Sequence, residues 1–324
     1  MSCNIAIVGA TGLVGRTILK VIEEYKLPVD NIHLFASKNS QGLELEFFNE
    51  KIKVQELTEN SFKDIDIVLF SAGSEISSFY APIANACGAT VIDNSSCFRM
   101  NSNVPLVVPE INIQEVDNAK IIANPNCSTI TAVIALNALK KFGLLSVGYT
   151  SFQAVSGAGQ KGLIDLENTL NGKKPSYFSA NISQTCIPQI DDFVEGGYTK
   201  EEIKMQEETK KILHMPGLKI SSTCVRVPVP NSHAVAVAVQ LKKSFELEEV
   251  YRAFNNAKGL QVVDEPQKGL YPLSTIANGS DITFVGRIRR DTATENGVLF
   301  YCVADNLRKG AASNAVQIAQ YLIS

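Results

Sequence analysis

Asn4-Ile5-Ala6-Ile7-Val8-Gly9-Ala10-Thr11-Gly12-Leu13-Val14-Gly15 reads as an apolar strand that passes through a glycine turn into a helix. Small residues let the backbone turn tightly and approach a pyrophosphate, whose charge then sits at the helix N-terminus. A bare glycine pattern is weak evidence, because a tight strand-to-helix turn needs glycine for its own sake. The spacing is G-x-x-G-x-x-G rather than G-x-G-x-x-G, so the strand before it and the helix after it supply the context. The turn predicts a nucleotide site that draws on Gly9, Thr11, Gly12, Leu13 and Val14.

Downstream of this turn the helix is expected to reach about Tyr25. Short β-type runs follow at 31–37, 65–70, 90–93, 106–108 and 120–124, with helical stretches between them. That alternation predicts a mostly parallel sheet covered on both faces. The segment 128–142 is apolar nearly all round until Lys140 and Lys141, so it is expected to be a buried helix. Longer β-type runs at 150–155, 223–229, 234–241 and 298–303 predict a second α+β domain on a large, partly antiparallel sheet. The segment 310–323 returns to helix, with Ala312, Ala315, Val316, Ala319, Leu322 and Ile323 on one stripe. It is expected to dock back on the first domain. The expected fold class is therefore α/β. A Rossmann-type nucleotide-binding domain covers 1–126 plus about 307–324, and a second α+β domain on a mixed sheet covers 127–306.

Composition narrows the function. The chain has 324 residues and a formal net charge of -3, with no long run of one sign. That argues against nucleic acid or a membrane surface as the main partner. No apolar run is long enough to span a bilayer. The first strand starts almost at Met1, so no signal peptide is expected, and the cytoplasm is the default location. The seven cysteines are scattered and show no paired metal-type spacing, so no metal site is expected. Most should be reduced and buried as small apolar residues.

One cysteine has a context. Asn124-Pro125-Asn126-Cys127-Ser128-Thr129 lies between a β run and the buried helix, which places Cys127 at or just before a helix start. The helix dipole and free N–H groups there lower a thiol pKa, and the same N–H groups suit an oxyanion on an attacked carbonyl. A thiolate beside a nucleotide domain suggests aldehyde or acyl chemistry through a thioester; the bland alternative is a buried structural cysteine. A base is also needed, and the chain has three histidines. His33 falls inside the second strand and His214 at the end of a charged helix. His233 follows a β-rich run, with Arg226 seven residues before it, and arginine suits bidentate carboxylate capture. The loop after the second strand reads Ala36-Ser37-Lys38-Asn39-Ser40-Gln41-Gly42, with no acid to accept from a ribose 2′-hydroxyl. Ser37, Asn39 and Ser40 with Lys38 suit a 2′-phosphate, so NADP is expected over NAD; a solvated loop is the alternative.

Taken in order and spacing, segments 9–15, 93–100, 107–110, 124–128, 153–159, 201–213, 224–229 with His233, and 305–317 resemble those of the aspartate-semialdehyde dehydrogenase family over nearly the whole chain. The resemblance implies a reversible, phosphate-dependent, NADP-linked reaction in lysine, threonine and methionine biosynthesis. In the biosynthetic direction Cys127 attacks the acyl carbon of L-aspartyl 4-phosphate, phosphate leaves, and hydride from NADPH releases L-aspartate 4-semialdehyde from the thioester. It implies His233 as the general acid/base that activates the thiol, Gln153 as the residue that orients the acyl group, and Asn126 as an aid to phosphate binding. Arg226 resembles the ligand of the α-carboxylate, Glu201 that of the α-amino group, and Arg99 and Lys204 the phosphate ligands. Ser71, Ser156, Gly157 and Asn306 resemble further cofactor contacts. A homodimer or dimer-based tetramer is implied, joined through the second domain.

Two departures stand out. Asn39 replaces the arginine of the family's S-x-R-S loop, and His233-Ala234-Val235 replaces H-S-E. On local features alone Glu201 and Lys204, three apart, would read as a surface ion pair. Three other readings compete. An N-acetyl-glutamyl-phosphate reductase has an acylated amine and no use for Glu201. A thiol hydrolase would not need the glycine turn. A redox-sensing module has no reason to hold Gln153, Arg226, Arg99 and Lys204 together.

Overall fold

The computed structural model describes residues 3–324; Met1 and Ser2, which the expected first domain includes, lie outside the described residues. The chain divides into two compact units. One runs to Pro125 and resumes over Ala311–Ser324, and the other is Asn126–Gly310.

The first unit contains β1 (Cys3–Val8), α1 (Leu13–Tyr25), β2 (Val29–Ala36), a hairpin of β3 (Glu44–Phe47) and β4 (Glu50–Lys53), β5 (Gln55–Glu56), β6 (Ile67–Phe70), α2 (Ser74–Ala86), β7 (Thr90–Asp93), α3 (Pro109–Asn112) and β8 (Ile121–Ala123). Six strands pair in the order β5-β2-β1-β6-β7-β8, all parallel. Alternate residues of a strand face opposite sides, and β1 is apolar from Ile5 to Val8 because both sides are covered there. Ile5 and Ile7 enter a core with Ile18, Val21 and Ile22, while Ala6 and Val8 enter another with Phe62, Phe70 and Ala81. Strand order reverses beside β1, which puts the glycine turn at the crevice where such sheets bind ligands. The run 106–108 does not form the expected strand. Pro105 and Pro109 bracket it, and only a single bridge from Leu106 to Ala123 survives.

The second unit contains α4 (Cys127–Leu139), β9 (Leu144–Gln153), α5 (Gln160–Leu170), α6 (Lys200–Ile212), β10 (Lys219–Arg226), β11 (His233–Leu241), α7 (Leu247–Asn255), β12 (Leu260–Val262), α8 (Ser274–Ala277), β13 (Thr283–Arg290) and β14 (Gly297–Ala304). Its sheet order is β10-β9-β11-β14-β13-β12, antiparallel in the middle and parallel at both outer pairs. α4 packs against this sheet and against α6 and α7, which explains its apolar character on every side. The strand expected at 223–229 ends at Arg226, where Val227-Pro228-Val229-Pro230 leaves the ladder. β12 and β13 were not evident in the sequence. On the face away from α4, Gly148, Thr150, Ala236, Ala238, Leu299 and Tyr301 stand half-exposed in a row of small and apolar groups.

From Ala311 the chain is back in the first unit, where α9 (Ser313–Ile323) lays Ala315, Val316 and Ala319 into the core that holds α1. A π-helical turn over Arg308–Ala312 precedes it.

Candidate active site

Cys127 is the first residue of α4 and is partly exposed. Asn126 caps the helix, its Oδ1 accepting from the amides of Ser128 (2.9 Å) and Thr129 (3.2 Å). The cap thus occupies two of the amides at the helix start. The Nδ2 of Asn126 donates to Glu201 Oε1 at 2.8 Å, and its backbone N–H donates to Glu208 Oε2 at 2.6 Å. Gly310 backs Cys127 so closely that a Cβ on it would lie 2.9 Å from the Cys127 Cβ.

His233 opens β11 and is fully buried. Its Nδ1 accepts from the Ala154 amide at 3.1 Å. Burial, then the nearby Arg226 guanidinium, hold the ring well below the ordinary histidine pKa, so it is neutral around neutral pH. Arg226 ends β10 and is also buried. Its Nη1 donates to the Ala154 carbonyl at 2.7 Å, and its guanidinium lies 6.0 Å from the Phe178 ring. Burial lowers the Arg226 pKa, while Glu201 and Cys127 pull it back. Gly157 sits against both groups: a Cβ there would meet Arg226 Nη1 at 2.7 Å and His233 Nε2 at 3.1 Å. Gly157→Ala is therefore expected to leave the fold intact and lower kcat/KM between roughly ten- and a hundredfold, since small misplacements of catalytic groups are expensive. Steady-state kinetics beside a melting curve check this.

α6 supplies the anionic side. Glu201 Oε1 accepts from Gln153 Nε2 at 3.1 Å as well as from Asn126, and its other oxygen lies 3.4 Å from Lys204 Nζ. Lys204 also meets Asp191 at 2.7 Å. The Glu201–Lys204 pair is thus no solvated surface bridge, because Glu201 is buried. Ser156, Asn306, Asn231 and Ser232 form a neighbouring polar group, with Asn306 Nδ2 on Ser156 Oγ at 2.9 Å and Ser232 N on Asn306 Oδ1 at 2.8 Å. Glu208, Ala154, Gly310 and Asp191 were missed from the sequence. Glu208 carried a signal, since it stands seven residues after Glu201 on the same helical face. The other three carried none.

In the first unit the remaining residues gather at the C-terminal ends of β1, β2 and β6. Gly9 has φ +82°, and a Cβ on it would stand 2.9 Å from the Ser71 carbonyl; one on Gly15 would lie 2.3 Å from the Gly9 carbonyl. Ser71 Oγ ties the turn by donating to the Val8 and Gly9 carbonyls. Gly12 caps α1 without a side chain, and no acid occupies the first turn, where Leu13 and Val14 stand. An uncapped, acid-free helix start behind a close backbone turn fits a pyrophosphate. The loop after β2 reaches this turn, with Ser40 Oγ 3.4 Å from Thr11 Oγ1, and Ser37, Lys38 and Asn39 are exposed beside it. Arg99 is buried elsewhere in this unit, donating to the carbonyls of Asn124 (2.9 Å) and Asn94 (2.7 Å). His33 stacks on Phe35 within β2, and His214 follows α6 at φ 53°. Among the described residues, no group of histidine, cysteine and acidic side chains is placed to hold a metal, and no helix is long and apolar enough to cross a membrane.

Two family models match: the NAD binding domain of semialdehyde dehydrogenases over residues 4–119, and their dimerisation domain over residues 136–309. The chain is 49% identical to the aspartate-semialdehyde dehydrogenase of Aquifex aeolicus, covering 100% of this chain and 98% of the relative. It is 42% identical to that of Bacillus subtilis, covering 98% and 97%. Among solved structures, aspartate semialdehyde dehydrogenase II from Vibrio cholerae, complexed with ASA, matches with a TM-score of 0.95 at 43% identity, covering 100% of this chain and 98% of that one.

Proposed function

The chain belongs to the aspartate-semialdehyde dehydrogenase family, and from that membership we propose that it runs the family reaction through a thioester on Cys127. It is an oxidoreductase of this type, with L-aspartate 4-semialdehyde as its aldehyde. The observation that carries the site assignment is the grouping in one unit of a cysteine at a helix start with Arg226, His233, Glu201 and Gln153.

The N-terminus of α4 favours the thiolate of Cys127. That thiolate adds to the acyl carbon, phosphate departs, and the acyl group stays on sulfur. Arg226 receives the α-carboxylate with the part of its guanidinium not held by Ala154. Glu201 receives the α-amino group, and Gln153, held beside it, orients the acyl group. Lys204 and Arg99 are the proposed phosphate ligands; a phosphate on Lys204 shares it with Asp191. Asn126, which also fixes the start of α4, is proposed to help hold the phosphate. NADP is the proposed cofactor, held by Gly9, Thr11, Gly12, Leu13, Val14, Ser37, Asn39, Ser40 and Ser71, with Ser156, Gly157 and Asn306 as further proposed contacts; when bound it supplies or takes the hydride. Catalysis and dimerisation are assigned to 127–306, cofactor binding to 1–126 with about 307–324, and the place of work to the cytoplasm.

Given L-aspartate 4-semialdehyde and phosphate, the enzyme is expected to reduce NADP with kcat/KM at least about tenfold above that for NAD, a difference of about 1.4 kcal/mol. Equal values would assign Ser37, Lys38, Asn39 and Ser40 to solvent rather than to a 2′-phosphate. Reduction with N-acetyl-glutamate semialdehyde alone would instead remove Glu201 from amine recognition. The proposed partner is a second copy of the chain on the half-exposed sheet face, where a hollow of ≈ 450 Å³ is lined by Ala236, Tyr301 and Arg289. Ala238→Arg, set on that face, is expected to halve the mass seen by light scattering; an unchanged mass would put the interface elsewhere.

A further inference from the structure

Glu201 stands on α6 and Arg226 at the end of β10, so the gap between them is set by how that helix lies on that strand. β10 is an edge strand of its sheet, and the N–H groups on its outer side need partners. At Arg226 the outer side is covered by Ile187, which exchanges two backbone hydrogen bonds with it (2.8 and 2.9 Å). Two residues back, the N–H of Cys224 donates to Glu202 Oε1 at 3.0 Å. The other oxygen of Glu202 accepts from the Thr199 amide at 2.7 Å, which closes the start of α6 as a capping box. The backbone carbonyl of Glu202 accepts from Ser222 Oγ at 2.9 Å. Glu202 is therefore buried with both carboxylate oxygens engaged, one by its own helix and one by the strand that carries Arg226. Successive helix residues lie about 100° apart, so Glu202 turns to the strand while Glu201 turns to Gln153 and Asn126. Capping α6 accounts for the bond to Thr199 but not for the bond to Cys224.

We propose that Glu202 is a positioning residue: it ties the first turn of α6 to the edge of β10 and so fixes the spacing between Glu201 and Arg226, on which the choice of an aldehyde bearing both an α-amino and an α-carboxylate group rests. This builds on the reading of Glu201 and Arg226 as the receptors of those two groups. Both groups sit on one carbon of the substrate, so covalent geometry fixes their separation and the receptors must match it. A substrate held at both points cannot follow a receptor that drifts, whereas one held at a single point can. Cys224 Sγ lies 3.7 Å from Met205 Sδ on α6, but packing of this kind has no direction. The hydrogen bonds from Cys224 N and Ser222 Oγ are directional, and they fix where α6 stands along the strand. The carboxylate of Glu202 is taken up by two amides, so it acts through Glu201 and Arg226 rather than on the substrate.

The test is a double-mutant cycle on the full-length enzyme, read as kcat/KM with L-aspartate 4-semialdehyde, phosphate and NADP. Glu202→Ala is expected to lower kcat/KM between roughly ten- and a hundredfold, since a shift of about 1 Å caused at a distance can cost that much. In an Arg226→Ala background the same change is expected to cost under about threefold, because the substrate then has one anchor fewer to match. An equal loss in both backgrounds would overturn the proposal, since general damage to the fold acts on either. Thr199→Ala weakens the cap but leaves Glu202 on Cys224. It is expected to lower the melting temperature by a few degrees and to keep kcat/KM within about twofold of wild type. A kinetic loss matching that of Glu202→Ala would assign the effect to the helix start and overturn the tie. Should Glu202→Ala fail to fold, Ser222→Ala cuts the other bond of the tie with the cap intact. It is expected to cost about threefold in the wild type and nothing measurable beside Arg226→Ala; no loss, or an equal loss in both backgrounds, would overturn the proposal. If Arg226→Ala alone costs under about threefold, the reading of Arg226 as the carboxylate receptor falls and takes the proposal with it. Equal losses from Glu202→Ala in the two backgrounds strike the tie alone.

Discussion

Cys127→Ala is expected to lower turnover in both directions to below about a thousandth of wild type while the melting temperature stays within a few degrees. The magnitude follows from the role. A covalent nucleophile splits one difficult step into two easier ones, and removing such a group typically costs more than three orders of magnitude. The stability half of the expectation follows from position. Cys127 is partly exposed at the first turn of α4, and Asn126, Glu201 and Glu208 hold the helix start. Alanine removes one sulfur and leaves the Asn126 cap in place. Turnover well above that level would mean another nucleophile, and a large fall in melting temperature would mean that the thiol has a structural task. Circular dichroism and the phosphate-dependent assay, run on the same preparation, separate the two.

Arg226→Ala is expected to cost about 3 kcal/mol in kcat/KM, roughly a hundredfold, because the substrate carboxylate is left buried without its partner. The effect has a second component. The Ala154 carbonyl loses its donor, and the peptide that positions His233 is loosened with it. Removing the guanidinium also removes one of the two influences that keep the His233 ring neutral, so the ring should take up a proton more readily as pH falls. The variant is therefore expected to lose activity faster than wild type on the acid side. Arg226→Lys should rescue little, since an ammonium cannot match the planar fork. With an aldehyde that lacks the α-carboxylate, variant and wild type should converge. A loss under about threefold with the natural aldehyde, well short of that energy, would take Arg226 out of the substrate site.

The parts of the molecule that were legible beforehand are those where one local rule decides. β1 and the glycine turn were legible because an unbroken apolar strand followed by close-set glycines has few other uses. α4 was legible because a helix apolar on all sides must be buried, and α9 because its small apolar residues repeat at three and four. Where two local rules compete, residue type alone does not decide the structure. The run 106–108 has β-type residues but lies between Pro105 and Pro109, which prevent a ladder; the strand expected to end at Val229 stops at Arg226 for the same reason. At the site, residue types and order pointed to Cys127, His233 and Arg226, but nothing local could show how they are held. The Ala154 peptide contributes only backbone atoms, and Asp191 reaches Lys204 from a loop. Such links depend on tertiary placement. The same holds for Asn126, whose cap on α4 and bond to Glu201 could not be read from its neighbours in sequence.

The most direct test of the thioester is to catch it. The enzyme is mixed with L-aspartate 4-semialdehyde and NADP in the absence of phosphate, quenched in acid, digested, and examined by mass spectrometry. Without phosphate to release it, the aspartyl group should accumulate on the peptide that carries Cys127, and phosphate added before the quench should discharge it. An adduct on another residue, or steady reduction of NADP on addition of phosphate with no adduct on Cys127 beforehand, would contradict the mechanism.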